Sequence, residues 1–117
     1  MKRVEKPWGY EIIFAHNERY AGKVLFIREG ERLSLQYHKR KDETIYLHSG
    51  RLLFYHGADE SGGSEVEMFP GDAQRVLPGE RHRLKALEDC LVFEVSTPEL
   101  DDVVRLRDDY GREGTKE

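Results

Sequence analysis

The chain is short of the features that would take it away from an ordinary one-core globular protein. It has one cysteine, Cys90, so an intramolecular disulfide is excluded. Beside Leu91-Val92-Phe93 that cysteine reads as a small residue at the edge of a core. No apolar run approaches membrane-spanning length, and the start, Met1-Lys2-Arg3-Val4-Glu5-Lys6-Pro7, lacks the apolar core of a signal segment. Basic charge is not in excess: 19 Lys and Arg against 23 Asp and Glu leave a net charge of -4, which gives no general case for a nucleic-acid or membrane partner. Internal repeats, low-complexity tracts and convincing long helices are also missing. What remains is 117 residues, 38% hydrophobic and 36% charged, enough for one core under a highly charged surface. The expectation is a single cytoplasmic domain over residues 1–117, with 1–5 and 113–117 as frayed ends.

What is present is a succession of short alternating stretches. Glu11-Ile12-Ile13-Phe14, Gly22 to Arg28, Leu33 to His38, Glu43 to His48, Leu52 to His56, Glu65 to Phe69, Ala73 to Leu77, His82 to Leu87 and Leu91 to Val95 all read as strands. Between them lie turn signals such as Ser49-Gly50, Pro70-Gly71 and Pro78-Gly79. Gly57 to Ser64 reads as a solvated loop. Asp101 to Arg107 fits a short strand or one helical turn, and Gly111 to Glu117 a frayed tail. Many short strands at regular spacing predict an all-β sandwich or jelly-roll barrel.

The chemistry concentrates in Ser34 to Glu43. Residues two apart in a strand share a face, so Gln36 and His38 point the same way. Lys39-Arg40-Lys41-Asp42 has no apolar residue and reads as a turn. If it closes a tight hairpin, Glu43 lies opposite His38 and their side chains meet. His82 opens a later strand and shares its inward face with Leu84 and Ala86. Two imidazoles, a carboxylate and an amide suit a divalent ion such as zinc, iron, manganese, cobalt or nickel. His16, His48 and His56 sit at turns or strand ends and read as surface or structural residues.

The order Gly30, Gln36-x-His38, Glu43, Gly50, Gly71, Pro78-Gly79 and His82 resembles the two-part cupin signature, with Gln36 in place of its usual first histidine. Leu33-Ser34-Leu35-Gln36-x-His38, preceded by Lys6-Pro7-Trp8-Gly9 and followed by Asp108-Asp109-Tyr110-Gly111-Arg112, is similar to type II mannose-6-phosphate isomerases. That form is usually the C-terminal cupin domain of a bifunctional isomerase and mannose-1-phosphate guanylyltransferase. The likeness runs from about Lys6 to Arg112. It departs around the glutamate, where the family's Arg-Ala-Glu-His-Trp is Lys41-Asp42-Glu43-Thr44-Ile45. Lysine keeps the charge there but not the bidentate fork.

The resemblance implies a cupin jelly-roll barrel with Gln36, His38, Glu43 and His82 around a divalent metal. It further implies an aldose–ketose isomerase acting on a sugar phosphate, and a homodimer. Lys23, Lys41 and Arg83 are the candidates for the phosphate, although alternation puts Arg83 on the face opposite His82. Lys41, Lys23 and Glu94 are the candidates for proton transfer. Glu94 lies in an apolar strand, where burial would raise its pKa, unless it points outward. A non-catalytic sugar-binding cupin and a metal oxygenase are the alternatives; the weak amide donor of Gln36 argues against the latter.

Overall fold

The computed structural model describes residues 1–57 and 63–116. It holds twelve strands: β1 Lys2–Lys6, β2 Gly9–His16, β3 Ala21–Ile27, β4 Leu35–Tyr37, β5 Glu43–Ser49, β6 Leu52–Gly57, β7 Ser64–Met68, β8 Ala73–Val76, β9 Arg81–Ala86, β10 Cys90–Ser96, β11 Val103–Arg107 and β12 Gly114–Lys116. They form two six-stranded sheets, ordered β1-β2-β3-β10-β5-β8 and β12-β11-β4-β9-β6-β7. The central pairings are nested: β3 with β10, β4 with β9, β5 with β8 and β6 with β7, all antiparallel. Such nesting is a long hairpin folded over on itself, with successive strands passing between the sheets. It is a jelly roll, as the short alternating strands foretold. Asp101 to Arg107 resolves as strand β11, which pairs with β4.

Both ends of the chain differ from the frayed termini expected. Strand β1 pairs with β2 from Lys2↔Ile13 to Lys6↔Gly9, and β12 pairs with β11. Each covers a strand that would otherwise expose its hydrogen-bonding edge. Neither segment has the apolar alternation that marks a strand in sequence. The glycine-rich loop read over 57–64 lies, for residues 58–62, outside the described residues.

The alternation of the inward faces sets where chemistry can occur. On β10, Cys90, Val92, Glu94 and Ser96 are buried; on β3, Ala21, Lys23, Leu25 and Ile27; on β5, Glu43, Ile45 and Leu47; on β9, His82, Leu84 and Ala86. Register aligns these rows. Ile27 pairs with Cys90, Leu25 with Val92 and Val92 with Leu47, whereas Lys23 pairs with Glu94 one layer away. One end of the interior is therefore apolar, filled by residues such as Ile27, Leu47, Leu52, Phe54, Ala86 and Val92. The other end is lined with buried ionisable groups. Trp8 closes part of the core, 3% exposed, the covering role expected of it. Cys90 is likewise buried among the core residues.

Gly50 joins β5 to β6 with φ +94°, and a Cβ there would stand 2.2 Å from the Asp89 carbonyl oxygen. Any side chain meets both a disfavoured backbone conformation and a rigid backbone atom. Gly50→Ala is expected to cost about 2–3 kcal/mol, read as a lower urea midpoint with an unchanged slope.

Candidate metal centre

Four elements bring the expected ligands together. Gln36 is the middle residue of β4 and pairs directly with His82 on β9. His38 follows the end of β4, and Glu43 opens β5. The ligand atoms of His38, Glu43 and His82 all lie within 4.8 Å of one another, and the three residues are 2–5% exposed. The amide of Gln36 reaches the same point, its Nε2 3.5 Å from His82 Nε2.

The route to this convergence is not the hairpin expected from the sequence. Strands β4 and β5 belong to different sheets, so His38 and Glu43 are not a cross-strand pair. They meet across the barrel interior. The reason is Asp102, which precedes β11. Its carboxylate accepts the backbone N–H groups of Lys39, Arg40 and Lys41 at 3.0, 2.6 and 3.0 Å. Asp42 N also donates to Thr97 Oγ1, and Thr97 N to the Asp42 carbonyl. The loop thus spends its donors on the β10–β11 connection rather than on a local turn.

Each histidine is fixed as one tautomer. His38 Nδ1 lies 2.5 Å from the Asp102 carbonyl and His82 Nδ1 3.1 Å from the Glu80 carbonyl. A carbonyl only accepts, so Nδ1 carries a proton in both rings, and in the neutral ring Nε2 presents its lone pair inward. His38 Nε2 then faces Glu43 Oε1 at 2.9 Å, and neither buried atom has a hydrogen-bond partner. Two lone pairs in contact away from water call for a cation between them. The spacing suits one: two N or O ligands at about 2.1 Å from an ion are about 3.0 Å apart at a right angle and about 3.4 Å apart in a tetrahedron. Gln36 fits with one adjustment. Its Oε1 accepts from Ser34 Oγ at 2.9 Å. Turning the amide over would aim the oxygen at the centre and leave the Ser34 hydroxyl as acceptor for the NH2 group.

Lys41 supplies the countercharge. Its ammonium sits 3.3 Å from Glu43 Oε1 and 2.9 Å from Glu94 Oε2, all three residues buried. Burial alone would lower the Lys41 pKa, but Glu94 and then Glu43 hold it above the ordinary lysine value. Burial would likewise raise the Glu43 carboxyl, but Lys41 and then His38 keep it well below the usual carboxylate range. Burial pushes His82 below the ordinary imidazole value, favouring the neutral ring that can ligate.

Beside the ligands lies a cavity whose wall includes Trp8, Leu25, Leu33, Gln36, His38 and Glu43. Lys23, Lys41 and Glu94 line it as well, so three of the residues singled out for substrate chemistry lie at the site. Glu94 does point inward, but its neighbour is an ammonium rather than apolar surroundings. Lys23 is paired with Glu11 at 3.4 Å. Arg83 is not part of this wall. It points to the other face, donating to the Leu33 carbonyl and pairing with Asp109, because β9 alternates and His82 takes the inward position. Five further charged residues of the cavity had drawn no functional reading in sequence: Lys6, Glu11, Asp101, Arg105 and Arg112. Lys6 and Arg112 belonged to motifs already noticed, Arg112 to the one over 108–112. In that motif Asp108 grips Arg112, Asp109 grips Arg32, and Tyr110 donates to Glu31. Of the three remaining histidines, His16 and His48 are exposed, and His56, the register partner of His82 on β6, turns its ring to Glu80.

Known proteins place this architecture. No family model matches the chain. The structure of KdgF from Halomonas sp. superposes with a TM-score of 0.74 at 23% identity, covering 84% of this chain and 88% of that one. Bacillus subtilis oxalate decarboxylase OxdC, as its S161A mutant, gives a TM-score of 0.77 at 18% identity over 91% of this chain and 30% of its own. A second structure of that decarboxylase, concerned with its Mn(II) centres, gives 0.78. The fold is that of a cupin. Among curated proteins, the xanthan biosynthesis protein XanB of Xanthomonas campestris pv. campestris, from two strains, is 32% identical over 117 aligned residues. The match takes in 95% of this chain and 24% of XanB, so the chain spans about a quarter of the length of these relatives.

Asp102 offers the sharpest check on how the site is held. Three backbone donors, opposed by burial, hold its carboxyl below the ordinary aspartate value. A depressed folded pKa means the contribution is present at neutral pH and lost as pH falls through that value. Asp102→Asn is expected to cost about 1–3 kcal/mol at pH 7. In urea melts the gap from the parent chain should close as pH falls below about 4.

Proposed function

We propose that this cupin is a metal-dependent sugar-phosphate isomerase of the mannose-6-phosphate isomerase type, with Gln36, His38, Glu43 and His82 as the metal ligands. The observation that carries the reading is the close facing of buried His38 Nε2 and Glu43 Oε1, neither with a hydrogen-bond partner, beside a cavity rich in cations. The resemblance from Lys6 to Arg112 supports the substrate class. So does the likeness to a protein of xanthan synthesis, since xanthan is a polysaccharide made from activated sugars.

When bound, a divalent ion supplies Lewis-acid polarisation of the substrate's carbonyl or hydroxyl oxygen. The chain does the rest. His38 and His82 offer Nε2, Glu43 offers Oε1, and Gln36 offers its amide oxygen once turned. Lys41 keeps Glu43 ionised and aimed. Glu94, outside the ligand set and buried in the wall, takes the proton from C2 of the aldose and returns it to C1 through an enediol, while a proton passes from O2 to O1. Lys41, held by Glu43 and Glu94, and Lys23, held by Glu11, balance the site's own carboxylates. Trp8 and Leu25 keep that side of the cavity apolar.

Purified protein should contain a divalent ion and exchange the C2 proton of mannose 6-phosphate with deuterium oxide, followed by NMR. Glu43→Gln should lower metal affinity about tenfold or more. Glu94→Gln should keep the metal and slow exchange about 100-fold or more. Binding of the sugar phosphate by metal-loaded protein with no exchange would replace this reading with a non-catalytic sugar-binding cupin, the reading favoured by the altered Lys41-to-Ile45 segment.

We also propose a homodimer, supported by the outer face of β5 and β10, where Tyr46, Phe93 and Val95 are 42%, 36% and 58% exposed. Tyr46 stacks on Phe93 there, an apolar patch unusual on a free sheet. Sedimentation equilibrium should give twice the chain mass, and Phe93→Lys with Val95→Lys should return monomer.

A further inference from the structure

Among the cations of the cavity, Arg105 stands apart. Lys6 and Lys23 have Glu11 within 3.9 and 3.4 Å, Lys41 has Glu43 and Glu94, and Arg112 has Asp108 at 2.8 Å. Among the described residues the Arg105 side chain has no hydrogen bond or ion pair, although it is half-buried on the cavity wall. Burial and then the neighbouring Arg112 pull its pKa below the ordinary arginine value, against the weaker pull of the more distant Asp108 and Glu11. A guanidinium with no direct counter-ion, held partly out of bulk water beside a second one, is costly, and an anion removes the cost. Position adds to the case. Arg105 on β11 is the direct register partner of Gln36 on β4, so the two side chains share a face, and an anion on Arg105 would lie beside the metal ligands.

We propose that Arg105 anchors the phosphate monoester of the substrate, its guanidinium fork donating to two phosphate oxygens. This deepens the sugar-phosphate reading and rests on it. It moves the phosphate contact away from Arg83, which faces the other side of β9. The cations already matched by carboxylates, Lys23 and Lys41, are left to hold the site's own charges in place.

Trp8, the one tryptophan, lines the same cavity and reports binding by its fluorescence. Metal-loaded protein is titrated with inorganic phosphate, mannose 6-phosphate, mannose and oxalate. The parent chain should bind the two phosphates at least tenfold more tightly than mannose. Arg105→Gln should weaken both phosphates at least tenfold, with metal content and thermal midpoint unchanged. Arg105→Lys should recover part of the loss, since charge remains without the fork. Arg19→Gln, in an exposed turn, should change nothing. Phosphate binding by Arg105→Gln equal to the parent overturns the proposal, as does Arg105-dependent binding of oxalate with phosphate ignored. The two readings fail separately. Arg105-dependent phosphate binding without C2 exchange removes the isomerase and leaves the anchor. Exchange with an unchanged KM in Arg105→Gln removes the anchor and leaves the isomerase.

Discussion

An imidazole nitrogen of His38 and a carboxylate oxygen of Glu43, 2.9 Å apart and neither with a hydrogen-bond partner, set the terms for this structure. Left to themselves they would separate, and the Lys41 ammonium, 3.3 Å from the same oxygen, offsets only part of that cost. They stay together because each is held from behind. The Asp102 carbonyl takes the proton of His38 Nδ1, and the Asp102 carboxylate grips the loop that leads from His38 to Glu43. Lys41, within that loop, turns its ammonium inward onto Glu43 and Glu94. One aspartate from a distant part of the chain thus fixes a ligand's tautomer, the path of the loop and the position of the countercharge. Second-layer contacts of this kind commonly decide how well a metal site binds.

The barrel was legible because alternation is local. Ile45 and Leu47 on β5, Leu84 and Ala86 on β9, and Cys90 and Val92 on β10 declare an inward face within a few residues. The polar members Glu43 and His82 follow from phase alone, whereas Glu94, left open between inward and outward in sequence, faces inward beside Val92 and Ser96. That is why the ligand set could be placed on inward faces without any knowledge of which strands pair. The same phase argument put Arg83 on the far side of β9 from His82, and it sits there.

What stayed hidden was long-range. Asp102 lies 64 residues from the ring it orients, in a segment that fitted strand or helical turn equally well. Glu11 and Arg105 sit on strands whose alternation is weak, and nothing nearby in sequence marks them as inward. The hairpin expected between His38 and Glu43 failed for a related reason. A charged turn between two alternating stretches looks the same whether its strands pair with each other or cross between sheets, and the choice is made by Asp102 and Thr97 from outside it. The edge strands β1 and β12 were missed because pairing with a neighbour, rather than burial of apolar side chains, holds them.

A lysine at position 41, where the isomerases that the chain resembles carry arginine, makes physical sense in this setting. The position must neutralise two carboxylates that point at it from different strands, Glu43 from β5 and Glu94 from β10, in a space closed to water. An ammonium is compact and carries donors in three directions. A guanidinium would present a flat fork suited to one carboxylate at a time. The local chemistry therefore selects for a point charge between two acids, and the ligand glutamate keeps its ionised form without the bidentate clamp. That arrangement also consumes the lysine: a cation shared by two buried carboxylates has little left for a substrate anion. The fork-shaped donor of the wall, Arg105, sits instead on the sheet that carries Gln36 and His82, with no ion-pair partner among the described residues.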